Sequence, residues 1–215
     1  MRGLHSPVAF ILLAAVVAMV IEGCGDDGSP APEHEADYFP YSVGSTWTYV
    51  YTDSTGVQEP DTLFVSVVKD TLVAQARAAK LLFESHWEGP SGPGEPPNII
   101  LVKSYRLVTR EGDWVNFYAN LGYLSFQRYK LPLTEGATWE LEHPSSDWSI
   151  SYEVLAPVDV SVPAGDFSAC VPVRRTEHEL GNTDTDTEYF ADGIGLVKRL
   201  SECGYGEILI AYHIH

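Results

Sequence analysis

Basic residues are scarce in this chain: 13 Lys and Arg stand against 30 Asp and Glu in 215 residues, a formal net charge of −17. That shortage excludes a nucleic-acid surface, which is built from Lys and Arg neutralising phosphates, and it excludes attachment to anionic lipid by charge. Arg174–Arg175 and Lys198–Arg199 form only doublets, so the acidity reads as solubility. Recognisable catalytic chemistry is also missing. There is no nucleophile elbow and no phosphate loop. Gly89-Pro90-Ser91-Gly92 lacks the required spacing and the strand before it, and Glu177-His178-Glu179 does not continue into the two-His helical zinc motif. His213 and His215 share a strand face but have no third ligand. The expectation is a non-enzymatic protein with no cofactor.

Long apolar stretches are missing too. The run from Pro7 to Ile21 falls short of the ~20 residues a spanning helix needs, and it is stopped by Glu22. With Arg2 and His5 ahead of it, residues 1–23 read as a signal peptide. Ile21-Glu22-Gly23-Cys24 resembles the lipobox of bacterial lipoproteins, with Glu22 departing from the usual small or aliphatic residue. The resemblance implies that Cys24 is acylated and becomes the first residue of the mature chain, with membrane anchoring through fatty acyl chains such as palmitate. Gly25 rather than Asp follows it, which favours the outer membrane over the inner. Residues 24–37 carry Gly, Ser, Pro and acidic residues without apolar periodicity and read as a disordered tether.

From residue 38 onward the pattern is almost entirely that of strands. Thr46–Thr52 alternates aromatic or β-branched residues with polar ones. Thr62–Val68, Ile99–Thr109, Trp114–Tyr118, Tyr123–Tyr129, Trp148–Leu155, Val171–Thr176, Thr185–Phe190, Leu196–Leu200 and Ile208–Ile214 follow suit. Turn signals at Glu111-Gly112-Asp113, Gly181-Asn182, Asp192-Gly193 and Gly204-Tyr205-Gly206 separate them. Ala74–Glu84 also has helical propensity, with strand favoured over a short helix. Glu88–Pro97 reads as an exposed loop. The expected fold class is all-β, an antiparallel curved sheet, half-barrel or sandwich, in one domain over residues 38–215.

An internal echo runs through this domain. Phe39-Pro40-x-x-x-Gly44-x-Thr46-Trp47 matches Leu131-Pro132-x-x-x-Gly136-x-Thr138-Trp139. Pro fixes an extended entry, Gly permits positive φ, and the next strand turns Trp to the core. Duplication would give two similar halves, 38–130 and 131–215; a shared strand-entry device or coincidence would not. The opening Phe39-Pro40-x-x-x-Gly44-x-x-Trp47-x-Tyr49, the run Val162-Pro163-Ala164-Gly165-x-Phe167 and the stretch Tyr189-Phe190-Ala191-x-Gly193-Ile194-Gly195-Leu196-Val197-Lys198 resemble a widespread group of bacterial envelope proteins and lipoproteins. That resemblance implies a β-rich envelope domain akin to the open half-barrels of periplasmic lipoprotein carriers, and it carries no catalytic residues.

Cys170 and Cys203 lie in the exported part, where paired cysteines usually oxidise. Tight turns at Gly181-Asn182 and Asp192-Gly193 would hold them roughly 30 Å apart at about 3.3 Å per residue. A disulfide needs Cα atoms about 5.5 Å apart and therefore requires a looser hairpin. Asp184, Asp186 and Glu188 alternate on one strand face, offering oxygen ligands of the kind Ca²⁺ accepts or simply a solvated face. The functional expectation is a membrane-anchored module that binds an apolar ligand, lipid or envelope protein in a concave apolar groove. The alternative is a surface adhesion module for carbohydrate or peptide, assisted by Ca²⁺ at those carboxylates.

Overall fold

Among the described residues the chain folds as an antiparallel meander of thirteen strands. The computed structural model describes residues 35–73, 75–89, 98–119, 127–142 and 147–215, without the side chain of residue 60. In chain order the strands are β1 (Thr46–Thr52), β2 (Gln58–Val73), β3 (Ala76–Gly89), β4 (Asn98–Glu111), β5 (Trp114–Ala119) and β6 (Gln127–Lys130). Then come β7 (Thr138–Glu142), β8 (Trp148–Val154), β9 (Val158–Val162), β10 (Gly165–Glu179), β11 (Asn182–Ala191), β12 (Gly195–Ser201) and β13 (Gly206–His213). Among the described residues there is no helix, and Ala76 onward continues as β3. Small side chains at Ala76, Ala78 and Ala79 favour a helix locally, but pairing with strands on both sides, as Ala79↔Asp70 and Ala79↔Val108, overrides that preference. The signal peptide, Cys24 and most of the tether lie outside the described residues, as do 120–126 and most of the expected 88–97 loop; Glu88 and Gly89 belong to β3.

The sheet order is β6-β5-β4-β3-β2-β1-β13-β12-β11-β10-β8-β7, with β9 paired to β10. The first six strands form one contiguous block and the later ones another, and the blocks join where β1 pairs with β13, from Thr46↔His213 to Thr52↔Gly206. The sheet curls until its ends approach: Trp139 Nε1 on β7 donates to the Arg128 carbonyl on β6 at 2.8 Å. Burial alternates cleanly in β8, at Ile150, Tyr152 and Val154, whereas residues 170–173 of β10 are buried without a break. The core is aromatic, and Phe39 lies at 5.0 Å from the Tyr129 ring and 5.2 Å from that of Phe190.

One end of the barrel is closed by the segment before β1. There Asp37 accepts from Arg110 Nη2 at 2.9 Å, and its backbone N–H donates to Asp192 Oδ1 at 2.7 Å. The segment then crosses over Gly195, whose φ is +96° and where an added Cβ would lie 3.6 Å from Pro40 Cδ and from the Tyr38 carbonyl. Glycine is required at that crossing for its conformation, since a Cβ there would make only ordinary van der Waals contact. The opposite end carries the β1–β2, β10–β11 and β12–β13 turns.

Candidate functional site

The interior holds a cavity of about 180 Å³ lined by strands from both blocks. The register explains its walls. Leu63 pairs with Ser85 and Tyr49, and Val65 with Phe83 and Trp47, so β1, β2 and β3 present a largely apolar wall. The other side is polar, made by Arg106 on β4, Gln127 on β6, Glu188 on β11, Arg199 on β12 and Glu207 on β13. The concave apolar groove expected from the sequence is therefore an amphipathic cavity. A wider groove of about 620 Å³ lies at the closed end, and Phe39 and Tyr41 line both spaces.

Glu188 is the centre of the polar wall. Its side chain is 1 % exposed, and it accepts from Arg199 Nε at 3.0 Å and Nη2 at 2.7 Å, from Tyr129 Oη at 2.5 Å and from Gln127 Nε2 at 3.3 Å. Arg199 Nη1 also meets Glu207 Oε2 at 3.2 Å. Burial alone would favour loss of the guanidinium proton, but Glu188 and Glu207 outweigh it and hold Arg199 well above its ordinary range. Arg106 moves the other way, lowered by burial and then by repulsion from Arg199, while its guanidinium sits 4.4 Å from the Phe83 ring centroid. Burial raises Tyr49 and Tyr129 well above the usual phenol value, and Glu188 adds to the rise at Tyr129. Tyr49 Oη donates to the Leu196 carbonyl at 2.9 Å.

The structure revises the reading of the acidic face. Asp184, Asp186 and Glu188 do share one face of β11, but only Asp184 is exposed. Asp186 approaches Arg175 Nη1 at 3.4 Å, and Arg175 is also paired with Glu177. Burial raises Asp186 although both arginines oppose it. Asp186 and Glu188 are thus already paired with guanidinium groups, Asp184 alone faces solvent, and among the described residues no group of three ligands could hold a metal. His213 and His215 are exposed, with ring centroids 6.2 Å apart.

The candidate disulfide is not formed. Cys170 is buried on β10 and Cys203 is exposed in the β12–β13 turn, both as free thiols. Glu179↔Asn182 and Ala191↔Gly195 keep both hairpins tight. The register thus separates the two by about 20 Å at about 3.3 Å per residue. Burial, followed by Asp159, pushes the Cys170 thiol up, making it less reactive.

Sequence reasoning passed over Arg199, Arg106, Tyr129, Gln127 and Glu207. The first was hidden by register: a tight turn at Asp192-Gly193 alone would set Glu188 opposite Val197, and the longer turn, with Ala191 opposite Gly195, together with the shift between Tyr189 and Phe190 brings it opposite Arg199. The others come from strands far apart in sequence.

No family model and no curated protein matches the chain. Two solved structures follow a similar backbone course. One is described as a presumed exported protein with a YmcC-like fold from Bacteroides fragilis, with TM-score 0.45 and 16 % identity over 83 % of this chain and 99 % of that one. The other is a presumed lipoprotein from Parabacteroides distasonis, with TM-score 0.46 and 14 % identity over 84 % of this chain and 100 % of that one. At those values neither bears on the site or its activity.

Proposed function

We propose that this chain is a lipid-anchored, non-enzymatic binding protein of the bacterial cell envelope, and that its barrel cavity holds a small ligand with an apolar surface. The observation that carries the reading is the cavity of about 180 Å³, with an apolar wall facing a polar one. Ligand sites combine such apolar area with a few fixed polar groups. The anchor rests on the sequence around Cys24, with the outer membrane as the favoured destination because Gly25 follows it.

Fluorescence titration with N-phenylnaphthylamine tests the binding role. The wild type is expected to bind it. Ser85→Phe and Ser104→Phe, which place a ring in the cavity, should weaken binding at least tenfold while circular dichroism stays unchanged. Absence of binding to the wild type, or equal binding by both variants, overturns the reading. Labelling with a clickable fatty acid tests the anchor, and equal labelling of wild type and Cys24→Ser refutes it.

A further inference from the structure

We propose that the cavity takes the uncharged head of a single-chain amphiphile, whose tail lies along a lip formed by Trp87, Ile100 and Val102. The inference rests on the cavity-binding reading above and names its ligand class.

Size is the first constraint. A dry cavity of about 150 Å³ accepts a benzene ring, so about 180 Å³ accommodates a compact head group but not a head and a long chain together. The rest of the ligand must lie outside it, on surface that favours it.

Such a surface continues directly from the cavity. The pairs Leu81↔Arg106, Phe83↔Ser104, Ser85↔Val102 and Trp87↔Ile100 place these residues on one face of β3 and β4. Along β4 that face changes from polar at Arg106 and Ser104 to apolar at Val102 and Ile100, over about 20 Å at about 3.3 Å per residue. Trp87 is 40 %, Ile100 47 % and Val102 50 % exposed, and Tyr51 stacks on Trp87 at 5.1 Å. Apolar area left open beside a cavity entrance is a binding feature.

Charge decides the head. The cavity is lined by two cations, Arg106 and Arg199, and two anions, Glu188 and Glu207. The lining charges cancel, so an ionic head would be desolvated there without net compensation. A neutral head with hydroxyl groups meets guanidinium donors and carboxylate acceptors, together with the Ser85 and Ser104 hydroxyls.

Calorimetry on the full-length Cys24→Ser chain, with monolauroylglycerol, laurate and dodecylamine below their aggregation concentrations, tests the inference. Monolauroylglycerol should bind at least tenfold tighter than either charged congener. Equal or tighter binding of laurate or dodecylamine overturns the neutral-head assignment and leaves the cavity reading intact. No binding by any of the three overturns both. Ile100→Ser combined with Val102→Ser should weaken monolauroylglycerol about tenfold and leave monohexanoylglycerol unchanged; an equal effect on both, or on neither, removes the lip from the site.

Discussion

Glu188 shows how one residue can be placed on the right strand and face and still be misread. Its alternation with Asp186 is visible in the sequence, but what covers that face depends on β6, β12 and β13 curling over it, and no local pattern encodes that closure. In place, Glu188 holds Arg199, Tyr129 and Gln127 together. Removing one partner of a buried ion pair leaves an uncompensated charge, at a cost of about 3–5 kcal/mol. Arg199 keeps Glu207, so Glu188→Leu is expected at the lower end, about 3 kcal/mol by urea denaturation. Adding Arg199→Met should recover only part of that loss, since it removes the cation left by Glu188 but also takes away the ion-pair partner of Glu207. A double variant less stable than Glu188→Leu would show that the pair contributes more than it costs to desolvate.

At the scale of elements, strand positions were largely legible because the period-two pattern is local. β1 spans the expected residues, and β8, β11 and β12 match within a few residues at either end. β9 was passed over because its five residues, Val158–Val162, merge into the Val162-Pro163-Ala164-Gly165 motif. The internal echo recurs as hydrogen bonding. Ser42 N donates to the Pro40 carbonyl at 3.0 Å and Thr134 N to that of Pro132 at 2.9 Å; Ser45 N donates to Ser42 at 3.0 Å and Ala137 N to Thr134 at 2.9 Å. Gly44 N then bonds to Val67 at 3.0 Å, as Gly136 N does to Val154 at 2.8 Å. The two glycines have φ of +99° and +78°. Alanine at either is strained by roughly 1–3 kcal/mol. At Gly44 a Cβ would also approach His215 Cδ2 to 2.9 Å, whereas at Gly136 it meets nothing within 4 Å. Thermal unfolding should therefore rank Gly44→Ala below Gly136→Ala, and His215→Ala should narrow the difference. Equal losses in the two variants would mean that the His215 contact carries no weight.

For the whole molecule, closure around a wet-and-greasy interior sets both its pH response and its weakest line. Tyr41, Tyr49, Tyr129 and Tyr152 are all raised, chiefly by burial, with Tyr152 pushed up to about 12. An unfolded tyrosine ionises near pH 10. Above that value the unfolded chain has lost protons that the folded one retains, so stability falls as pH rises through the folded values and is fully present below about 10. Urea midpoints should be level near neutrality and drop above about pH 10, with the native tyrosinate absorbance lagging that of the denatured chain. The weakest line is the approach of the two sheet ends. Among the described residues β6 and β7 each pair on one side only, with β5 and β8, whereas β1 is paired on both sides by β2 and β13. The edges are short, four and five residues, which limits their pairing with other chains. Across the gap the Trp139 indole reaches the Arg128 carbonyl, and its ring stacks on Tyr152 at 5.0 Å. Opening at this seam would expose Gln127 and Tyr129 beside the cavity while leaving the β1–β13 junction paired. Hydrogen exchange should accordingly be fastest in β6 and β7 and slowest in β1 and β13, and Trp139→Phe should speed the seam strands alone. Equal acceleration in β1 and β13 would mean that the sheet opens as one unit, and that the cavity is reached only from the end bearing the lip.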